Sequence, residues 1–379
     1  MNDTSLPATG HELRSTVSDD GRVTLAMREF DIAEPGPDEV VVRIEASPIN
    51  PSDLGMLFAG ADLGAAESAG TDELPAVSAP LPDAVFQAQQ ARLGQAMYVG
   101  NEGGGTVVAA GSSDAAQALL GKVVGFLSRN TYATYRTIEA ATCLPMHDGT
   151  TGEQAAACFV NPLTALGMVE TMRAEGHTAL VHTVGASNLG QMLNRICLAD
   201  GIGLVNIVRK PEQVELLHAA GAEHVVDSSS ESFRDDLIAA LSATGATIAF
   251  DAIGGGEMAG IILSSMEQVA SAGGEFSRYG SNVHKQVYIY GGLDRRPTTL
   301  NRDFGARWSV GGWLLIPFLV QLGQEGADRL RQRVADEITT TFASDYGMKV
   351  TLREAVDPEM VKRYSKVATG EKALIAPQA

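Results

Sequence analysis

Cysteine is scarce in this chain of 379 residues: there are three, Cys143, Cys158 and Cys197. The number is odd and no two form a C-x-x-C pair, which excludes a disulfide framework and a lobe of four cysteines around zinc. A reducing compartment is the expectation. Cations are also in short supply. Lys and Arg total 28 against 46 Asp and Glu, a formal net charge of −18, which argues against nucleic acid or an anionic membrane as partner. Long apolar runs are missing too. The longest, Gly312 to Val320, is too short to span a bilayer and contains Pro317. The first fifteen residues hold no apolar signal core. A soluble, cytoplasmic protein without a membrane partner is expected.

Glycine, by contrast, is plentiful at 41 residues, and 45% of the chain is hydrophobic, the composition of an α/β enzyme. The length allows two domains. The organising stretch is Thr178 to Arg209. Thr178 to Val184 reads as a buried parallel strand. Gly185, Ala186, Ser187, Asn188, Leu189 and Gly190 make a glycine-bracketed turn. Leu189, Met192, Leu193 and Ile196 then recur at helical spacing, and Gly203 to Val208 is a second strand. Strand, turn, helix and strand make one βαβ unit. The helix N-terminus offers N–H groups and partial positive charge to a pyrophosphate. The fingerprint G-x-G-x-x-G is incomplete, because Ser187 stands at its second glycine. At the end of the second strand an NAD-binding protein carries an acid for the ribose 2′-OH; here Arg209 and Lys210 stand there, which favours the 2′-phosphate of NADPH.

Upstream, Val40 to Ala46 forms a β run leading into Asn50-Pro51-Ser52-Asp53. Residues 59–97 are rich in Ala, Gly and Pro with no clear strand, and read as a lid, an arm or a solvated insertion. Gly103-Gly104-Gly105 precede β-branched residues, a sign of close backbone approach. Short strands at 121–127 and 132–138 fit a small antiparallel barrel, and a helix begins near Glu153. Downstream of the βαβ unit, helices and strands alternate. The strands end at Asp227, Asp251 and Tyr290, and a sixth lies at Trp308 to Leu314. This alternation predicts one doubly wound parallel sheet with ligands at the carboxyl ends of its strands.

The ordered set Asn50–Asp53, Asn101–Gly105, Asn161–Ala165, Gly185–Gly190, Asp251–Gly255, Tyr290–Leu293 and Gly370–Leu374 resembles the zinc-free branch of the medium-chain dehydrogenase/reductase superfamily, the quinone oxidoreductases and enoyl reductases. The resemblance implies an α/β fold: a GroES-like β-barrel catalytic domain (1–155 and 317–379) and a Rossmann NADP-binding domain (156–316) with a cleft between them. It implies that Asn50, Ser52 and Asp53 line the catalytic cleft. Asn161 and Thr164 would lie by the cofactor's ribose and phosphates, with Asp251, Ala252 and Ile253 at the adjoining strand end. Tyr290, Gly291 and Trp313 would close over the nicotinamide, and Lys372 would reach the cofactor from the returning C-terminus. Zinc-dependent relatives carry Cys at Asn50 and His-Glu at Asn101-Glu102. Cys158 aligns with a further ligand but lacks partners, and the seven histidines are scattered, so no metal is expected.

The resulting expectation is a homodimeric, NADPH-dependent reductase of quinones or activated enones. Mitochondrial-type enoyl reductases place a proton-donating Tyr about eleven residues after the Asn of this motif, a position close to Ala61 here, which weakens the alternative of an enoyl-thioester reductase; Tyr98, or a Tyr from the strands flanking the insertion, is the substitute. A catalytically idle NADPH-binding protein is the alternative of another class. An S-adenosylmethionine methyltransferase would carry an acid at Arg209.

Overall fold

The computed structural model describes residues 6–274, 277–366, 370 and 372–379. They form two compact units, one from Met1–Val160 with Arg331–Ala379 and the other from Asn161–Leu330. The junctions fall at 160/161 and 330/331, against the 155/156 and 316/317 expected from sequence. The second lies in the helical stretch Leu315–Asp336, beyond its break at Gly323, where φ is 80° and ψ 170°.

The first unit is built on two β-sheets. Thr9–Val17 and Arg22–Asp31 pair antiparallel across a turn at Gly21, whose φ of 78° suits glycine. The second sheet centres on Glu39–Pro48, which pairs with Glu102–Ala110, Tyr135–Glu139 and the C-terminal Ala373–Ile375. Strand Glu39–Pro48 is therefore apolar at most positions. Leu13, Leu25, Ile49, Leu57, Phe58, Val77 and Tyr132 pack into one core with Val350 and Tyr364 from the returning C-terminus.

Residues 59–97 correct the sequence expectation of a structureless lid or arm. They hold the strands Glu67–Gly70 and Pro75–Pro80, the helix Asp83–Ala88 and the short strand Met97–Tyr98. Pro75–Pro80 pairs with Arg22–Asp31, burying Ala76, Val77 and Ala79. Its small residues carry no β-branched run, so backbone pairing and tertiary context, not propensity, make the strand.

The second unit is one parallel sheet in the order His224–Asp227, Gly203–Val208, Ala179–Thr183, Ile248–Asp251, Lys285–Ile289, Trp308–Gly312. This is the doubly wound order, reversing beside its first strand. A two-stranded addition, Gly254–Gly256 with Asp294–Thr298, was not legible in the sequence. The buried Lys285 ammonium donates to Glu267 at 2.6 Å, to Ser281 Oγ and to the Val283 carbonyl. A buried charge survives when it is paired in this way. Among the described residues no helix is long and apolar enough to cross a membrane. The free thiols of Cys158, in the first unit, and Cys197, in the second, are buried. Burial pushes Cys158 well above the usual thiol value and Cys197 up to about 12.

Candidate functional site

In the first unit, Asn50-Pro51-Ser52-Asp53 turns the chain from strand Glu39–Pro48 into helix Pro51–Phe58. Pro51 fits the first helical position, where its missing N–H costs nothing. Asp53, at the third, accepts the Asn50 backbone N–H at 2.7 Å, satisfying an otherwise orphaned donor. Its other oxygen accepts Asn101 Nδ2 at 2.6 Å. Asn50 Nδ2 donates to Glu102 Oε1 at 2.9 Å. Glu102 Oε2 accepts the backbone N–H groups of Phe159 at 2.9 Å and Val160 at 2.8 Å, where a helix begins and negative charge is favoured. The Tyr132 hydroxyl donates to the Pro48 carbonyl at 3.1 Å.

Burial sets the electrostatics. Asp53 is 1% exposed, and desolvation, with Glu102 nearby adding to it, pushes its carboxyl up to about 7 against the opposing Asn50 N–H and Lys372. Burial also lowers the Lys372 ammonium, against the pull of Glu102 and Asp53. Lys372 is half-buried, but its Nζ is shielded from solvent and has no hydrogen-bond partner among the described residues. Asn50 Oδ1 is also shielded without such a partner. Ser52 is exposed. Asn50, Asp53 and Lys372 thus share one polar cluster, and Asn101, Glu102 and Tyr132 join it without having been assigned a role from sequence. The available signal was Glu102 itself, an acid at the head of a glycine-rich buried strand.

No group of three or more His, Cys, Asp or Glu side chains among the described residues could hold a metal ion. Ala61 packs against the small core of Val17, Val23, Ala59 and Leu81. Tyr98 is 46% exposed under the Arg14 guanidinium, so neither position brings a hydroxyl to this cluster.

In the second unit the Gly185–Gly190 turn sits at the carboxyl end of the central strand. A Cβ on Gly190 would lie 2.2 Å from the Gly185 carbonyl oxygen, and one on Gly185 would lie 2.8 Å from Asn206 Cβ. Gly190 is required where the helix meets the strand end, and Gly185 where the turn meets the neighbouring strand Gly203–Val208. Ser187, at the missing glycine, is the N-cap of helix Asn188–Asp200, its Oγ accepting the Gly190 N–H at 3.0 Å. Val184 has φ 60°, a conformation that costs a β-branched residue roughly 1–3 kcal/mol and is typical of ligand-binding turns.

Ala186 and Leu189 are buried in the same turn. Gly185 N–H donates to the Ile207 carbonyl at 3.0 Å, which brings the turn beside the end of Gly203–Val208, where Arg209 and Lys210 are exposed. Asp251 is buried and spends its carboxyl on the next strand end, accepting from Thr183 Oγ1 at 2.9 Å, Ile253 N–H at 2.9 Å and Gly254 N–H at 3.1 Å. Tyr290 N–H donates to the Asp251 carbonyl, and Leu293 N–H to the Ala252 carbonyl. The loops carrying Ala252, Ile253, Tyr290 and Gly291 are thereby joined. Trp313 is largely buried, its indole N–H donating to Thr171 Oγ1 at 3.0 Å and its ring set edge-on to Phe250. Asn161 and Thr164 are buried in helix Val160–Ala174.

No family model matches the chain. A mycocerosic acid synthase-like polyketide synthase of Mycobacterium tuberculosis is 26% identical over 285 residues, 74% of this chain and 12% of that protein. The mitochondrial enoyl-[acyl-carrier-protein] reductase of Xenopus tropicalis is 28% identical over 210 residues, 53% of this chain and 51% of its own. The chain thus spans about an eighth of the polyketide synthase and about half of the reductase. Among solved structures, a candidate NADPH:quinone reductase from Mesorhizobium loti aligns with a TM-score of 0.71 at 24% identity, covering 98% of this chain and 100% of its own. A mutant enoyl thioester reductase from Candida tropicalis aligns at 0.66 and 18%, covering 97% and 99%. The Pseudomonas syringae quinone oxidoreductase aligns at 0.65 and 18%, covering 98% and 100%. With the six-stranded doubly wound sheet and the two-sheet unit above, these likenesses give the chain the fold of the medium-chain dehydrogenase/reductase superfamily, a GroES-like domain with a Rossmann domain.

Proposed function

We propose that the chain is an NADPH-dependent oxidoreductase that transfers hydride to a quinone or an activated enone without zinc. The observation that carries this reading is the pair of exposed cations, Arg209 and Lys210, beside a glycine turn that opens a helix. A helix N-terminus suits the pyrophosphate and the cations a 2′-phosphate, and Gly185 and Gly190 leave no room for side chains there. Bound NADPH supplies the hydride. Ala252, Ile253, Tyr290 and Gly291 border its place at the strand ends, with Asn161, Thr164 and Trp313 of the same unit as further contacts. Asn50, Ser52 and Asp53 act on the substrate side. An acceptor that takes hydride also needs a proton, and Asp53, which holds its proton up to about pH 7, is a store for it alongside solvent.

A second reading, reduction of an enoyl thioester, is favoured by the curated reductase relative and opposed by Ala61, which has no hydroxyl to donate. The test is steady-state NADPH oxidation with quinones, enones and enoyl thioesters, with and without a chelator. Turnover of quinones or enones, unchanged by chelation, is expected. Turnover of thioesters alone would transfer the assignment to the second reading. NADPH binding with no turnover would make the chain an idle binder, and loss of activity on chelation would overturn zinc independence.

We also propose a homodimer. Trp308–Gly312 pairs on one side with Lys285–Ile289, and among the described strands nothing pairs with its other edge. Leu314, 63% exposed, Ile316 and Val320, 77% exposed, follow directly. An open strand edge next to exposed apolar side chains is a pairing surface. Successive N–H groups of a strand point to opposite edges. Trp313 N–H donates inward to the Ile289 carbonyl, so Val310, three residues earlier, points its N–H outward. Val310→Pro should therefore remove an outer donor while sparing the inner ladder. Light scattering should show a dimer for the parent chain and a monomer for the variant; a monomeric parent at micromolar concentration ends the idea.

A further inference from the structure

His182 lies on the central strand Ala179–Thr183, and Tyr290 directly follows strand Lys285–Ile289. Strand Ile248–Asp251 runs between them. His182 Nε2 and the Tyr290 hydroxyl are 2.7 Å apart, and their rings stack with centroids 5.9 Å apart. The bond therefore bridges two strands over a third, at the level of Phe250, which pairs with both His182 and Tyr288. On the sheet's other connection, Thr183 Oγ1 donates to Asp251 and accepts the Ala252 N–H.

His182 is fully buried, and burial alone presses its imidazole down to about 3, so the ring is neutral at any working pH. Nδ1 is shielded and has no hydrogen-bond partner among the described residues. A buried nitrogen without a partner carries a penalty that a leucine or phenylalanine would avoid. Packing alone does not explain a histidine here. The feature the imidazole adds is its bond to Tyr290, at the strand end where a doubly wound sheet receives its ligand. The neighbouring Gly291 lies so close to Ala252 that a Cβ would stand 2.5 Å from the Ala252 carbonyl oxygen. A small shift of Tyr290 is therefore passed to both loops.

We infer that His182 is a positioning residue for NADPH: by holding the Tyr290 hydroxyl across the intervening strand, it fixes the backbone of Tyr290–Gly291 and Ala252 where the cofactor binds. This rests on the NADPH reading above. Tyr290→Phe deletes the bond while keeping the ring, and His182→Phe deletes it from the other side. His182→Gln restores a donor and acceptor near Nε2. NADPH Kd, KM, kcat and Tm are measured for each and for the double Phe variant. Each single Phe change should weaken NADPH about five- to ten-fold, the scale of one neutral hydrogen bond, with kcat changed less than KM. The double variant should be no weaker than either single one, since both remove the same bond, and Gln should recover part of the loss. If Tm falls while NADPH affinity is unchanged, or the two losses multiply, the inference is overturned and the bond is only structural. A parent chain that binds no NADPH would overturn the cofactor reading itself, and this inference with it. If the His182 variants fail to fold, Tyr290→Phe decides alone.

Discussion

Glu102→Ala is expected to cost about 4 kcal/mol of folding stability, because it orphans three donors at once. Its two oxygens serve Asn50 Nδ2 and the N–H groups of Phe159 and Val160, and the side chain is fully buried. Each donor left without a partner costs roughly 1–3 kcal/mol, partly recovered if water enters the space. Glu102→Gln should behave differently. The Gln carbonyl can accept the two backbone N–H groups, and its NH2 can donate to Asn50 Oδ1, which has no partner among the described residues, once that amide turns over. Gln should therefore lose about 1 kcal/mol or less. Urea denaturation at constant m-value reads both. An Ala variant as stable as the Gln variant would show that the hydrogen bonds do not hold this turn.

The second large effect concerns cofactor choice. Arg209→Glu should weaken NADPH on the order of 100-fold at low salt, because the change removes a charge-assisted partner and sets a like charge against the 2′-phosphate. NADH lacks that phosphate, so its affinity should hold or improve as the new carboxylate accepts the ribose hydroxyls. Arg209 is exposed, so salt should shrink the effect. Lys210→Ala should act in the same direction and more weakly. Equal losses for both cofactors would place Arg209 away from the phosphate.

Much of the second unit was legible because its signals are local. Strands Gly203–Val208 and His224–Asp227 fall where the short apolar runs place them, since the strands of a parallel sheet covered on both faces are mostly apolar. Helix Asn188–Asp200 announces its buried face through Leu189, Met192, Leu193 and Ile196. What the sequence concealed depends on distant partners. Pro75–Pro80 is a strand because Arg22–Asp31 accepts it, and no residue within it says so. In the candidate site, Asn50 and Asp53 could be named from their motif. Asn101 and Glu102 stood in a matched motif, but their partners, like those of Tyr132, lie across long stretches of chain, as Phe159 does for Glu102, so no role could be given to them. Ser187 looked like a defect in a glycine fingerprint, and the fold uses it as a helix cap.

The two buried thiols give each half of the molecule its own clock. Cys158 and Cys197 are sealed, and their raised proton affinity keeps them as unreactive thiols. An alkylating reagent meets either sulphur only when the surrounding structure opens. Its rate at Cys158 thus reports the opening of the β-sheet unit, and its rate at Cys197 that of the parallel-sheet unit. Mass spectrometry of the two alkylated peptides would follow both halves in one tube, without an introduced cysteine. A ligand gripping one half would slow one clock and leave the other running.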